Sequence, residues 1–206
     1  MKKEIFIATG IFLVFFLYAW LRYVSFGPLS INDFLYVLNK AFAFSVIGIM
    51  FTAYLPLAYR KLRRSILGYI AFYFTLTHFV LSLILLPGKY YRHFHLPDGR
   101  LCFEFKMGVI FGIIAFFVLL GVYFYFKQKK KSGVNPKIFG CLTCIYYFSL
   151  LGHIYFLGYE NWAKPAEWYG GLPPITLISF VLMLLFIPLG LYFIKFTHRD
   201  YLNREA

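Results

Sequence analysis

Two histidines, His78 and His153, stand out because each lies inside a long apolar run of the sequence. An ionisable side chain within a membrane span is energetically unfavourable, so its presence marks a candidate functional site. Imidazole can bind a metal ion or a haem iron, and it can also carry a proton. Which of these roles is possible depends on the structure of the apolar runs that contain the two histidines.

The composition indicates that these apolar runs are membrane spans. Of 206 residues, 61% are hydrophobic and the mean hydropathy is +0.71, more apolar surface than a soluble domain of this size can bury. Runs of about 20 apolar residues cross a bilayer core. They predict an all-α integral membrane protein with six transmembrane helices in one bundle and a single domain over residues 1–206. The predicted spans are 5–24, which we expect to remain as an uncleaved anchor, 34–58, 65–86, 107–126, 138–157 and 175–194.

The distribution of Lys and Arg predicts how the bundle is oriented. The net charge of +13 comes mainly from the chain ends and from the connections YRKLRR and KQKKKSGVNPK, whereas the other connections are richer in aromatic and acidic residues. Because positive loops stay in the cytoplasm, both termini are predicted to be cytoplasmic, in an inner or plasma membrane. The same clustering favours lipid headgroups as partners and argues against nucleic acid.

His78 and His153 are predicted to lie at the same depth. Each comes about 13 to 15 residues after the cytoplasmic start of its helix, which places it about 20 Å into the membrane. Two imidazoles at one level of a helix bundle can serve as the axial ligands of a b-type haem. The alternative is that each histidine is a buried polar residue that donates to a backbone carbonyl or a tyrosine. A bare metal ion is less favoured, since no further His, Asp or Glu lies at that depth.

The run from Pro56 to Ile84, PLAYRKLRRSILGYIAFYFTLTHFVLSLI, resembles a segment of the ferric reductase-like transmembrane superfamily. In that superfamily a basic pair, Leu-Gly, Ala-Phe and then His open the third helix, and the same order occurs here. Within it, the sequence is most similar to the haem-binding membrane subunits of periplasmic methionine sulfoxide reductase systems. The resemblance covers the second to the fifth span.

The resemblance implies one haem b per chain, on the outer side. Two-haem members carry a further histidine about 13 or 14 residues, or nearly four helical turns, before each ligand. Here those positions hold Ser65 and Arg64 before His78, and Gly140 and Phe139 before His153. The inner pair of ligands is therefore missing, and His78 and His153 remain as the two axial ligands.

The function that the resemblance implies is electron transfer by a b-type cytochrome subunit of a reductase, rather than by a complete enzyme. Electrons would come from a membrane quinol, or from the flavin of a cytoplasmic reductase partner, and pass to an extracytoplasmic redox partner. The alternative is a haem-free transporter or scaffold in which both histidines serve a proton or substrate path. A transporter usually has acidic residues at mid-membrane, whereas all eight Asp and Glu residues here lie outside the predicted spans or at their edges.

Four further residues are candidates for the haem surroundings. Lys40, Asn39 and Arg22 lie toward the outer side of their spans, where a cation or an amide could pair with haem propionates. For Lys40 the alternative is that its ammonium reaches up to the outer interface. Gly152 precedes His153 and leaves room for a flat cofactor or for a neighbouring helix.

Two further residue pairs have no assigned role, one that could coordinate a metal ion and one whose thiols could exchange with a quinone. His93 and His95 lie in the outer connection after the third span, which we read first as an interfacial loop. Cys141 and Cys144 lie one helical turn apart near the cytoplasmic end of the fifth span, where thiols remain reduced. We read the two cysteines first as small packing residues.

Overall fold

The structure is a computed structural model that describes residues 2–55, 62–86, 94–129 and 136–186. These residues form six α-helices, which we number in chain order: α1 (Lys2–Trp20), α2 (Phe34–Tyr54), α3 (Arg64–Leu85), α4 (Phe103–Lys129), α5 (Pro136–Phe156) and α6 (175–186). A π-helical turn, Leu21–Ser25, extends α1. The described ranges contain no β-strand, only one isolated bridge between His95 and Leu101.

Five helical segments are long and apolar enough to cross a membrane, so the protein is a multi-pass helical membrane protein. They are Lys2–Ser25, Ile31–Ala53, Ser65–Leu85, Phe103–Tyr125 and Tyr169–Phe186. The apolar part of α5, Gly140–Phe156, is shorter. The all-helical class is confirmed, whereas six spans and cytoplasmic termini remain predictions. The predicted span ends at 56–58 and 187–194 lie outside the described residues.

Helix α2 is the central helix of the bundle. Half of its apolar segment is buried, against 17% for α1 and α3 and 11% for α4. Its buried side chains contribute to three separate hydrophobic clusters, through Ile49 with α1 and α3, Phe44 with α1 and α6, and Ile47 with α5 and α6. A side chain on α2 is therefore close to most of the other helices at the same depth.

Neighbouring helices alternate in direction. The Glu4 carboxylate accepts a hydrogen bond of 3.0 Å from the backbone N–H of Arg63, so α1 and α3 begin at the same end of the bundle. At the opposite end Leu85, the last residue of α3, packs with Phe105 near the start of α4 and with Tyr36 near the start of α2. We call these the Glu4 end and the Leu85 end. The sequence predicts that the Leu85 end is extracytoplasmic.

Aromatic rings fill the interior on the Glu4 side of the histidines. Phe74, one turn below His78 on α3, contacts Phe42 and Phe12 with ring centroids 5.0 and 5.6 Å away. Phe72 stacks on Tyr123 of α4 at 4.3 Å, with the two rings within 9° of parallel. Stacked and edge-on rings of this kind add to the stabilisation from burial.

At the Leu85 end, the segment before α6 is held over the end of α1. The Tyr18 hydroxyl donates to the carbonyl of Pro173 at 2.6 Å, and the Arg22 guanidinium donates to the carbonyl of Leu172. The turn that precedes these carbonyls contains Gly170 and Gly171 with φ of +59° and +70°, a region that side chains rarely adopt. The segment before α6 is thus fixed by α1 as well as by its own turns.

Candidate functional site

His78 lies in the half of α3 nearer the Leu85 end, and its ring is held by α2. Its Nδ1 is 2.7 Å from the side-chain oxygen Oδ1 of Asn39 and 3.2 Å from the backbone carbonyl oxygen of the same residue. A backbone carbonyl can only accept a hydrogen bond. Nδ1 of His78 therefore carries the proton and donates it to Asn39.

The amide of Asn39 is itself held in place by α3. Its Nδ2 donates to the hydroxyl of Ser82 at 3.1 Å, and the Asn39 side chain is only 1% exposed. Ser82 follows His78 by four residues, so both lie on the same face of α3 and bracket Asn39. The sequence pointed to Asn39 as a contact of haem propionates, but in the structure both polar atoms of its amide are engaged with α3.

His153 is held by the opposite pair of helices. Its Nδ1 donates to the backbone carbonyl of Gly108 on α4 at 2.8 Å. The ring lies against Gly112, where a Cβ atom would be 2.6 Å from Nδ1, and Leu157 lies against Gly108. Two glycines four residues apart thus form a flat strip on α4 that admits His153 of α5 and Leu157, the residue that follows α5, as small residues do where membrane helices approach closely.

Both histidines are consequently in the same tautomer. Each Nδ1–H is satisfied by a carbonyl oxygen, which leaves the lone pair on Nε2. Neither Nε2 has a hydrogen-bond partner among the residues that the structure describes. Both side chains are half-buried rather than sealed in the core. Within the described ranges, each ring therefore offers a nitrogen lone pair that no other residue uses.

The structure brings the two histidines and Lys40 together. His78 lies within electrostatic range of His153 and of Lys40, and His153 within range of Lys40. The Lys40 ammonium lies 5.0 Å from the centre of the Tyr36 ring, a cation–π contact. The described residues give Lys40 no acidic partner. The site therefore combines two imidazoles with one lysine of the central helix, which contacts a tyrosine ring.

Arg22 and Gly152 have other contacts. The Arg22 side chain is 5% exposed, lies between the rings of Tyr23 and Tyr169, and its Nε has no partner in the described part of the chain. Its bond to Leu172 gives it a role in holding the segment before α6. Gly152 packs against the Phe111 ring, which a Cβ atom would approach to 2.9 Å. Its lack of a side chain is thus used for helix packing.

The remaining candidate residues lie apart from this site. His95 is exposed and pairs with Leu101 in the outer loop, and His93 lies outside the described residues. Cys141 and Cys144 are both exposed on α5, near the Glu4 end. In the described ranges no group of three or more His, Cys, Asp and Glu side chains could hold a metal ion.

Sequence reasoning missed Ser82 and the carbonyl of Gly108 as partners of the site. For Ser82 the available signal was its position four residues after His78, on the same helical face. For Gly108 and Gly112 the signal was a spacing of four residues that places two glycines on one face. Which histidine such a face would meet is not encoded in the spacing itself.

The fold and the site define a multi-pass helical membrane protein with two neighbouring imidazoles and a lysine in one half of its bundle. No family model matches the chain, and no curated protein matches it either.

Proposed function

We propose that this protein is the b-type cytochrome subunit of a membrane reductase system, of the ferric reductase-like kind. His78 and His153 would hold one haem b through their Nε2 atoms, near the extracytoplasmic surface. The proposal includes six spans, cytoplasmic termini and an inner or plasma membrane location. Electrons would enter from a membrane quinol or a flavoprotein and leave to an extracytoplasmic redox partner.

One observation carries the proposal: two imidazoles on different helices, close enough to interact, each donate Nδ1–H to a carbonyl, and neither Nε2 has a partner among the described residues. Histidines that bind metal almost always donate their other nitrogen in this way, since the donation fixes the tautomer and makes the ligating nitrogen more basic. A purely structural histidine is satisfied by one such bond as well. The shared tautomer of two neighbouring rings is what favours ligation.

The residues present fit a haem better than a bare metal ion. A porphyrin supplies four nitrogen ligands of its own, so two axial imidazoles complete the coordination. A bare ion would need three or more protein ligands, and no such group occurs among the described residues. A haem bound there would supply a one-electron Fe(III)/Fe(II) couple.

Lys40 supports the outer placement of the site. An ammonium in the apolar half of a bundle is unfavourable unless it meets a negative group or reaches water. Lys40 lies within range of both histidines and faces no acidic side chain among the described residues. Carboxylate groups of a bound haem would supply the missing negative charge.

The sequence supports one haem rather than two. The positions 13 and 14 residues before His78 and before His153, which would carry a second pair of ligands, hold no histidine. Electrons would therefore reach the site from a donor that approaches within the membrane.

The experiment that tests the proposal is an absorption spectrum of the full-length protein, purified in detergent from haem-replete cells, oxidised and then reduced with dithionite. We expect a low-spin b-type spectrum with one haem per chain. The spectrum should be lost in His78→Ala and in His153→Ala, and kept in His95→Ala, which removes an exposed loop histidine. A colourless wild-type protein would overturn the proposal and favour a haem-free transporter or scaffold.

A further inference from the structure

The two histidines differ in what holds them. For His153 the acceptor is the backbone carbonyl of Gly108, which no side-chain substitution removes. For His78 the closer acceptor, at 2.7 Å, is the side-chain oxygen of Asn39. The acceptor for His153 is therefore independent of side chains, whereas the closer acceptor for His78 is the side chain of one residue, Asn39.

The orientation of that amide is determined by its neighbours. Its oxygen faces the Nδ1–H of His78, and its Nδ2 donates to Ser82 at 3.1 Å. Rotating the amide by half a turn would bring Nδ2 toward Nδ1–H, where two donors face each other, and would remove the donor to Ser82. Because Asn39 is almost completely buried, water cannot replace the lost bonds, and leaving such groups unpaired is unfavourable.

We propose that Asn39 is the positioning residue of the site: with Ser82 as its anchor, it fixes the tautomer of His78 and sets how electron-rich the Nε2 of that ring is. A stronger acceptor at Nδ1–H draws the proton away from the ring and makes Nε2 a better donor to a metal. The effect on a bound haem rests on the proposed function. The effect on the tautomer of His78 does not.

The first test measures haem affinity and the reduction potential in variants of Asn39. Asn39→Leu removes the closer acceptor at similar volume and leaves the backbone carbonyl at 3.2 Å, so haem affinity should fall by about 10–100-fold and the potential should rise, since the weaker donor favours the reduced iron. Asn39→Asp keeps an acceptor, so it should retain affinity and leave the potential unchanged or lower. Ser82→Ala should shift both quantities as Asn39→Leu does, by less.

Ser45→Ala is the matched control for these variants. Ser45 is buried on the same helix, and its hydroxyl donates to the carbonyl of Ala41 at 2.6 Å without touching a histidine. Its affinity and potential should equal those of the wild type. A rise in potential in both Asn39→Leu and Asn39→Asp, or no change in Asn39→Leu, would overturn the proposal, because a merely structural role predicts no dependence on the acceptor.

The second test does not depend on haem. The ¹⁵N spectrum of the histidine-labelled full-length protein, reduced if coloured and as purified if colourless, reports the state of Nδ1 in His78. In a colourless protein we expect a protonated Nδ1 in the wild type and in Asn39→Asp, and a mixture of tautomers in Asn39→Leu. In a coloured protein, iron on Nε2 keeps the proton on Nδ1, and we expect the Nδ1 resonance to shift in Asn39→Leu because the closer acceptor is gone. A colourless protein with the first pattern would overturn the proposed function and keep Asn39 as the positioning residue. An Nδ1 resonance unchanged in Asn39→Leu would overturn the positioning role in either case.

Discussion

The two sides of the candidate site hold equivalent rings by different physical means. On the side of α2 and α3, a buried amide, a hydroxyl and His78 form a short chain of hydrogen bonds. On the side of α4 and α5, no side-chain polar group is used, and His153 reaches a backbone carbonyl because Gly108 and Gly112 leave the surface of α4 open.

This difference predicts which kind of substitution disturbs each side of the site. The α2–α3 side depends on one side-chain acceptor, since replacing the Asn39 amide leaves the Nδ1–H of His78 with only the backbone carbonyl at 3.2 Å. The α4–α5 side depends on the open surface of α4, since a Cβ atom at Gly108 or Gly112 would collide with Leu157 or with the His153 ring. We expect steric substitutions to act most strongly on the α4–α5 side and electrostatic ones on the α2–α3 side.

The largest effect is expected from Gly112→Ala. The added Cβ would be 2.6 Å from Nδ1 of His153, so the ring or α5 must move, and overpacking of this kind destabilises by about 1–3 kcal/mol. Thermal unfolding in detergent should show a lower Tm, and the proposed function predicts that haem is lost as well. Gly121→Ala, on the same helix with open space around its Cβ position, should leave both unchanged or raise the Tm. Equal effects of the two substitutions would refute the steric account of the α4–α5 side.

A smaller steric effect is expected from Gly152→Ala. Its Cβ would lie 2.9–3.0 Å from three atoms of the Phe111 ring, and that ring is a side chain that can shift. Destabilisation should fall at the low end of about 1–3 kcal/mol. Combining the change with Phe111→Leu should recover part of the loss in Tm. An additive double variant would show that the two residues are not in contact.

An electrostatic effect is expected from Lys40→Gln. Removing a positive charge near both rings should make the site harder to reduce, by about 1–2 kcal/mol at an effective dielectric constant near 20. A spectroelectrochemical titration measures this as a lower midpoint potential, and Lys40→Arg should retain the wild-type value. Lys106→Gln, which removes an exposed cation on α4, is the control. A shift of the same size in Lys106→Gln would indicate a general charge effect rather than one centred on α2.

The smallest effect is expected outside both sides, at the exposed pair Asp98 and Arg100. Hydrogen bonds from the Arg100 side chain and backbone N–H lower the pKa of Asp98. A lowered pKa stabilises the folded state above the ordinary pKa of the carboxyl, and this contribution is lost as the pH falls through the lowered value. In Arg100→Gln, an NMR titration should show the Asp98 pKa closer to its ordinary value, with Tm at pH 7 and haem content unchanged. A change in haem content would show that the outer loop is coupled to the site.

The sequence alone determined that the protein is helical and lies in a membrane. Long apolar runs cannot be hidden in a soluble fold of this size, and within lipid the backbone must satisfy its own hydrogen bonds, which favours helices. The two intramembrane histidines could be chosen in the same way, because a polar group in an apolar run is conspicuous. Asn39 and Lys40 were found as polar neighbours, although not with the contacts that they make.

Only the tertiary structure decided which faces of the helices meet. In a membrane span the lipid-facing and protein-facing sides are both apolar, so hydropathy does not separate them: on α4, Phe117 is 60% exposed while Phe105 is 2% exposed. For this reason the hydropathy pattern could not predict the central place of α2, the glycine strip on α4 or the hydrogen bond from His78 to Asn39. Each arises from contacts between residues that are distant in the sequence, and a hydropathy pattern does not show which distant residues meet.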